Sequence, residues 1–238
     1  MHWRFPVYLP IIMQGVILAA GRGTRMGPLT DATPKPLLTV RGKPLLYHLV
    51  ASLPRKIDEL IIVVGYLGDQ IREYCGARFH GRPVTYVTQE EHRGTYHALE
   101  LARAHIGHAP FALFFGDDIF DLATIRKLIE YPLGVVTARA AHPEKFGVVH
   151  LAPGGYVAAI EEKPEHPTSN LVLTSAYVLT RDIFRFPPER NPANGEYYLS
   201  TALSNMAQKH PVKAVEANFW FPIGTPDDLA HAEHTSFV

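Results

Sequence analysis

The sequence predicts an α/β protein, a doubly wound, Rossmann-like mixed sheet carrying a partly antiparallel insertion. Three observations lead there. In the first half, short wholly apolar runs alternate with helix-like stretches. Runs without polar alternation mark strands covered on both faces, as in a parallel sheet between helices. From Gly134 to Leu179 strand-like runs follow one another through turn residues with no helix between them, the pattern of antiparallel hairpins. Finally, a glycine-rich loop follows the first apolar run, the position at which open α/β sheets take their ligands.

The elements follow in order. Gly15–Ala20 reads as a buried strand and Pro44–Leu53 as a helix. Leu60–Gly65 is a strand, followed by a short helix at Asp69–Cys75. Val84–Thr88 is a strand and Thr95–Ile106 a helix rich in Ala, Leu and Glu. Phe111–Phe115 is a strand that ends in Gly116-Asp117-Asp118. Asp121 is placed as the N-cap of a helix through Glu130. In the second half, Val135–Ala140, Val148–Leu151, Tyr156–Glu161 and Leu171–Leu179 read as strands, with Pro153-Gly154-Gly155 as a turn. Pro187–Asn194 is a proline-rich surface loop. A helix at Tyr198–Lys209, a strand at Val212–Ala217 and a helix at Asp227–His234 complete the pattern.

The 238 residues suit one sizeable domain, and 47% of them are apolar, enough for a proper core. Lys plus Arg and Asp plus Glu balance at 23 each, which excludes a general nucleic-acid binder. The single cysteine, Cys75, has no metal-ligand spacing around it; a reducing, cytoplasmic setting is expected. Residues 1–12 contain an apolar stretch, Val7–Ile12, but Pro6 and Pro10 interrupt it. They are read as an N-terminal extension rather than a signal peptide, with residues 13–238 as a single domain. No run reaches the roughly 18 apolar residues a membrane span needs, so no membrane association is expected. The histidines, including His92, His97, His105 and His108, show no metal spacing and are expected as surface or helix residues.

The glycine loop runs Leu18-Ala19-Ala20-Gly21-Arg22-Gly23-Thr24-Arg25-Met26-Gly27. No Gly-Lys-Ser/Thr closes it, so the Walker A pattern is absent. A dinucleotide fingerprint requires the third glycine one place earlier, and Pro28, Pro34 and Pro36 exclude a following helix. An ordinary turn would explain Gly21 but not Arg22, Arg25 and Lys35. Glycines let backbone N–H groups approach phosphate oxygens, which the basic residues neutralise.

The order of these motifs resembles the sugar nucleotidyltransferases. After the glycine loop come Pro34-Lys35-Pro36-Leu37, Gly42-Lys43-Pro44-Leu45, Gln89 with Gly94-Thr95, Gly116-Asp117, Phe146-Gly147, Glu162-Lys163-Pro164, Ser169-Asn170, Gly195-Glu196 and Trp220 with Gly224-Thr225. The resemblance implies attack of a sugar 1-phosphate oxygen on the α-phosphorus of a nucleoside triphosphate, with loss of pyrophosphate. It implies that Leu18, Ala19, Ala20, Gly21, Gly23, Thr24, Gln89, Gly94, Thr95 and Asp117 hold the nucleotide. Arg25 then meets the departing pyrophosphate and Lys35 the α-phosphate. Gly147, Glu162, Lys163 and Thr174 hold the sugar phosphate in the antiparallel insertion. The resemblance also implies magnesium on Asp117 and a homo-oligomer.

Two details refine that expectation. A glutamine amide has both a donor and an acceptor, which suits the imide edge of uracil or thymine, so Gln89 favours UTP or dTTP. Relatives place an aspartate, a second magnesium ligand, where this chain has Pro222. Proline has no side-chain donor atom for a hard cation. Three outcomes are open: magnesium held by Asp117, phosphates and water; Asp118 swinging in; or a nucleotide-sugar-binding relative with weak turnover. The first is expected, because Arg25, Lys35, Asp117, Glu162 and Lys163 are all in place.

Overall fold

A computed structural model describes residues 13–236; the extension expected at residues 1–12 lies outside them. The described strands are β1 (Met13–Ala19), β2 (Thr39–Val40), β3 (Lys43–Pro44), β4 (Ile57–Val64), β5 (Arg78–Phe79), β6 (Arg82–Thr88), β7 (Phe111–Phe115), β8 (Asp118–Phe120), β9 (Gly134–Arg139), β10 (Gly147–Ala152), β11 (Tyr156–Glu162), β12 (Leu171–Leu179), β13 (Lys213–Glu216) and β14 (Trp220–Pro222). The helices are α1 (Leu45–Ala51), α2 (Gly68–Cys75), α3 (Thr95–Ala102), α4 (Leu122–Leu128), α5 (Leu199–Ala207) and α6 (Pro226–His234).

One sheet organises the molecule, in the order β10-β11-β13-β9-β12-β7-β1-β4-β6-β5. The centre is parallel: β1 pairs with both β4 and β7, and β4 with β6. The mixed character enters at β12, which runs antiparallel to β7 on one side and β9 on the other. The antiparallel strands therefore extend the main sheet rather than forming a separate layer. β10 and β11 make a hairpin at the far edge.

Alternation along β1 shows why the sheet needs helices on both faces. Val16 and Leu18 belong to one buried cluster, with Leu99 of α3 and Leu203 of α5. Ile17 and Ala19 belong to the other, with Leu46 and Leu49 of α1 and Ile125 of α4. Each of these side chains is under 10% exposed, so neither face can be polar without losing burial, which is the main stabilising term. A third, smaller cluster joins Met26 of the glycine loop to Val40, Leu45, Ile119 and Ile223. It anchors that loop against the C-terminal segment.

The helix boundaries differ from the sequence reading where tertiary contacts intervene. α4 starts on Asp121 as expected, whose carboxylate accepts from Thr124 N at 3.3 Å. α3 stops at Ala102, short of Ile106. The Arg181 guanidinium captures the carbonyls of Arg103 and Ile106, and Gly107 follows. The expected irregular loop after the glycines contains two short 3₁₀ segments, Thr24–Thr30 and Lys35–Leu37. β8 and β14 form a two-stranded ladder that was not foreseen. No described helix is long and apolar enough to cross a membrane.

Candidate functional site

A cleft of about 760 Å³ opens at the carboxyl ends of the central strands. Of the residues expected to act together, it is lined by Arg25, Lys35, Thr95, Asp117, Gly147, Glu162, Lys163 and Thr174. Leu18, Ala19, Ala20, Gly21, Gly23, Thr24, Gln89 and Gly94 are not part of its lining. The side chains of Leu18, Ala19 and Ala20 are packed into the two cores. Their backbone is also engaged: Leu18 O accepts from Gly116 N, and Ala20 O from Tyr66 N. Gly21 and Thr24 are exposed at the end of β1, and the space around Gly21 is open.

Lys35 is 6% exposed. It opens a 3₁₀ turn between Pro34 and Pro36, which restrict the backbone on both sides. Its ammonium donates to the Asp117 carboxylate. Gly23 explains the close fit of the lysine stem. It has φ +68, and a Cβ built on it would lie 3.0 Å from Lys35 Cβ. Any side chain there strains the backbone and presses on the lysine. Arg22, in contrast, stacks over the Tyr66 ring at 5.0 Å.

Asp118 points elsewhere. It is 8% exposed, and its Oδ2 accepts from Ser175 Oγ at 2.6 Å and from Trp220 Nε1 at 2.7 Å. Burial, and next the charge of Asp117, push its carboxyl up to about 7. Asp118 is therefore committed to β12 and β14, which argues against its swinging over as a metal ligand. Pro222 stands opposite Asp118 in the β8–β14 ladder and lines the cleft. Asp228, also in the lining, is spent on a capping box: its Oδ2 accepts from Gly224 N, Thr225 N and Thr225 Oγ1. Among the described residues no group of three or more His, Cys, Asp or Glu could hold a metal. Asp117 lines the cleft beside Lys35, with its carboxylate paired to the lysine ammonium. One carboxylate with substrate phosphates and water suits magnesium.

At the β10–β11 end, Lys163 takes a left-handed φ of +46. Its backbone N donates to Phe146 O at 3.0 Å. Its ammonium lies 3.4 Å from Glu162 Oε1 and 5.1 Å above the Tyr198 ring. The other Glu162 oxygen accepts from Ser200 Oγ at 2.6 Å. The Lys163 side chain is half-exposed, so the pair adds little stability, but Ser200 and the Tyr198 ring fix its position. A Cβ on Gly147 would come within 3.0 Å of Ile160 and 3.4 Å of Glu162 Oε2. The Thr174 hydroxyl is turned to Val136 O at 2.9 Å.

The two ends are tied together. Thr95 Oγ1 accepts from Leu199 N at 3.0 Å, and Tyr96 N donates to Tyr197 O at 2.9 Å. Gly94, at φ +93, lies so close to Tyr197 that a Cβ would sit 2.6 Å from its carbonyl oxygen. Gln89 is 4% exposed. Its Nε2 lies 3.3 Å from Gly94 O and 3.1 Å from His97 Nδ1. His97 lies in α3, a helix residue as expected, and is also a partner of Gln89. Sequence reasoning missed Ser175, Tyr198 and Ser200, and gave Trp220 a place in the motif series but no partner. Their partners are remote in the chain, and no local spacing signals them.

Similarity to known proteins agrees with this geometry. A family model described as nucleotidyl transferase matches residues 14–236. The UTP–glucose-1-phosphate uridylyltransferase AglF of Haloferax volcanii is 34% identical over 232 residues, covering 93% of this chain and 95% of that protein. The bifunctional protein GlmU of Methanococcus maripaludis is 33% identical over 227 residues, 93% of this chain. The match takes in 54% of GlmU, so the chain spans about half the length of that relative. Among solved structures, a protein assigned as a glucose-1-phosphate thymidylyltransferase from Bacillus anthracis, in complex with sucrose, superposes with a TM-score of 0.82 at 29% identity, covering 93% of this chain and 94% of that one. A UDP-glucose pyrophosphorylase complexed with UDP-glucose shares the fold, with a TM-score of 0.83 at 24% identity over 94% of this chain and 97% of that one. On a match that runs from Gln14 to Ser236, the chain belongs to the nucleotidyl transferase family of enzymes.

Proposed function

We propose that the protein transfers a nucleotidyl group from UTP or dTTP to a sugar 1-phosphate, giving a nucleotide sugar and pyrophosphate. The observation that carries this reading is the shared cleft. Arg25, Lys35 and Asp117 line it together with Glu162 and Lys163. Two polyanions must meet for the reaction, and the cleft supplies cations for both.

The sugar-phosphate oxygen attacks the α-phosphorus, and the bond to the β-phosphate oxygen breaks on the opposite side. Positioning and charge stabilisation carry most of such a transfer. Lys163, steadied by Glu162 and Tyr198, holds the sugar phosphate, and Glu162 accepts from sugar hydroxyls. Lys35 donates to the α-phosphate as charge redistributes, and Arg25 to the leaving pyrophosphate. Asp117 would hold magnesium, which neutralises phosphate charge when bound. Gln89, which lies outside the cleft lining but contacts Gly94 next to Thr95 on that lining, reads the base.

One observation favours a second reading, a nucleotide-sugar-binding relative with weak turnover: Pro222 lines the cleft beside the aspartates. Measuring pyrophosphate release from each triphosphate against a panel of sugar 1-phosphates separates the two. Release with UTP or dTTP supports the transferase. Tight nucleotide-sugar binding without release supports the other.

A further inference from the structure

The Gln89 amide is held in one orientation, and the partner that completes it is His97. Gly94 O, 3.3 Å from Gln89 Nε2, can only accept a hydrogen bond. The amide group facing it is therefore the NH₂. The second hydrogen of that NH₂ meets His97 Nδ1 at 3.1 Å. A ring nitrogen that accepts carries no proton, so His97 holds its hydrogen on Nε2. Both amide hydrogens are then spent inside the protein.

The rest of Gln89 has little freedom. The residue is 4% exposed, its backbone N donates to Val64 O at 2.8 Å, and its carbonyl oxygen abuts Gly65, where a Cβ would approach to 2.9 Å. No described group donates to the amide oxygen. The contact of the amide with Gly94 O sets it beside Thr95, which lines the cleft. Gln89 thus offers an acceptor and no donor.

We propose that His97 is a positioning residue for base selection: it locks the Gln89 amide so that only its oxygen is left for the base. This rests on Gln89 being the base-reading residue proposed above. An acceptor suits the N3–H of uracil or thymine. Cytosine presents an acceptor at the same ring position, so the two lone pairs repel. Without the His97 acceptor, one of the two restraints on the amide is lost. The flipped amide, with its NH₂ free, then suits cytosine.

The test compares kcat/KM for UTP, dTTP and CTP in the wild type, His97→Phe and His97→Asn at saturating sugar 1-phosphate. The Phe variant keeps a ring but no acceptor. The Asn variant keeps an acceptor on the same side-chain carbon. His97→Phe is expected to lower the preference for UTP or dTTP over CTP by roughly fivefold, the scale of one neutral hydrogen bond. The loss should fall on the nucleotide KM, with the sugar-phosphate KM unchanged, and His97→Asn should retain the wild-type ratio. ¹⁵N NMR of the His97 ring in the wild type, which needs no variant to fold, should show the proton on Nε2. A folded His97→Phe with the wild-type ratio, or a proton on Nδ1, overturns the role of His97. A wild type that prefers a purine triphosphate overturns the reading of Gln89 itself, and shows in a separate arm of the same assay.

Discussion

The Lys35 ammonium donates to the Asp117 carboxylate, joining the proline-flanked loop to the carboxyl end of β7. The pair keeps a nearly buried cation compensated before substrate arrives, and an incoming phosphate can take the lysine over. Lys35→Ala is expected to lower turnover about a hundredfold or more, the cost of losing one strong transition-state donor. Steady-state kinetics decide it, and a folded variant within threefold of wild type removes this role.

Pro222 faces Asp118 across the β8–β14 ladder, one residue along from Asp117. A carboxylate at 222 would supply a second hard oxygen ligand near the first. Pro222→Asp is expected to reduce severalfold the magnesium concentration needed for half-maximal rate. A well-folded variant with the wild-type magnesium requirement shows that position 222 does not reach the metal.

The buried Asp118 makes stability depend on pH. Its carboxyl titrates at about 7 in the folded protein against 3.8 for the unperturbed group, chiefly because burial penalises the charge. Between those values the folded state retains a proton that the unfolded chain has lost. The Asp118 contribution therefore weakens as pH rises from about 4 to 7, and changes little above that. Asp118→Asn removes the titration while an amide oxygen can still accept from Ser175 and Trp220. Thermal midpoints at pH 5 and pH 8 should fall more for wild type than for the variant. Equal falls would show that Asp118 is not the group responsible.

Cys75 closes α2 with 3% exposure, and burial pushes its thiol up to about 12. Little thiolate exists at pH 8, and the thiol is the less reactive form. A disulfide reagent such as dithionitrobenzoate should label the native protein only as fast as it opens, and at once in denaturant. Rapid native labelling would contradict this.

The sequence was most legible where burial is continuous. The run Leu171–Leu179 is buried along its whole length and forms β12 over that same span. Lys35, Asp117, Glu162 and Lys163 were legible through their place in an ordered series of motifs. What was not legible depends on long-range closure. Trp220 reaches Asp118 across 102 residues, and Ser200 reaches Glu162 across 38. Neither pairing leaves a local spacing. The β8–β14 ladder is three residues long, too short for a periodicity to show. His97 looked like an ordinary helix residue because its meaning lies in the orientation of a neighbouring amide.

The central claim is that one cleft joins a pyrimidine triphosphate to a sugar 1-phosphate. Its most direct measurement is product stoichiometry, with the purified protein incubated with magnesium, UTP or dTTP, and a panel of sugar 1-phosphates, glucose 1-phosphate among them. The account predicts that at least one pair yields nucleotide sugar and pyrophosphate in equal amounts, and that Lys35→Ala and Lys163→Ala slow the formation of both together. Nucleotide binding with no pyrophosphate from any pair, or product formation only with purine triphosphates, would contradict it.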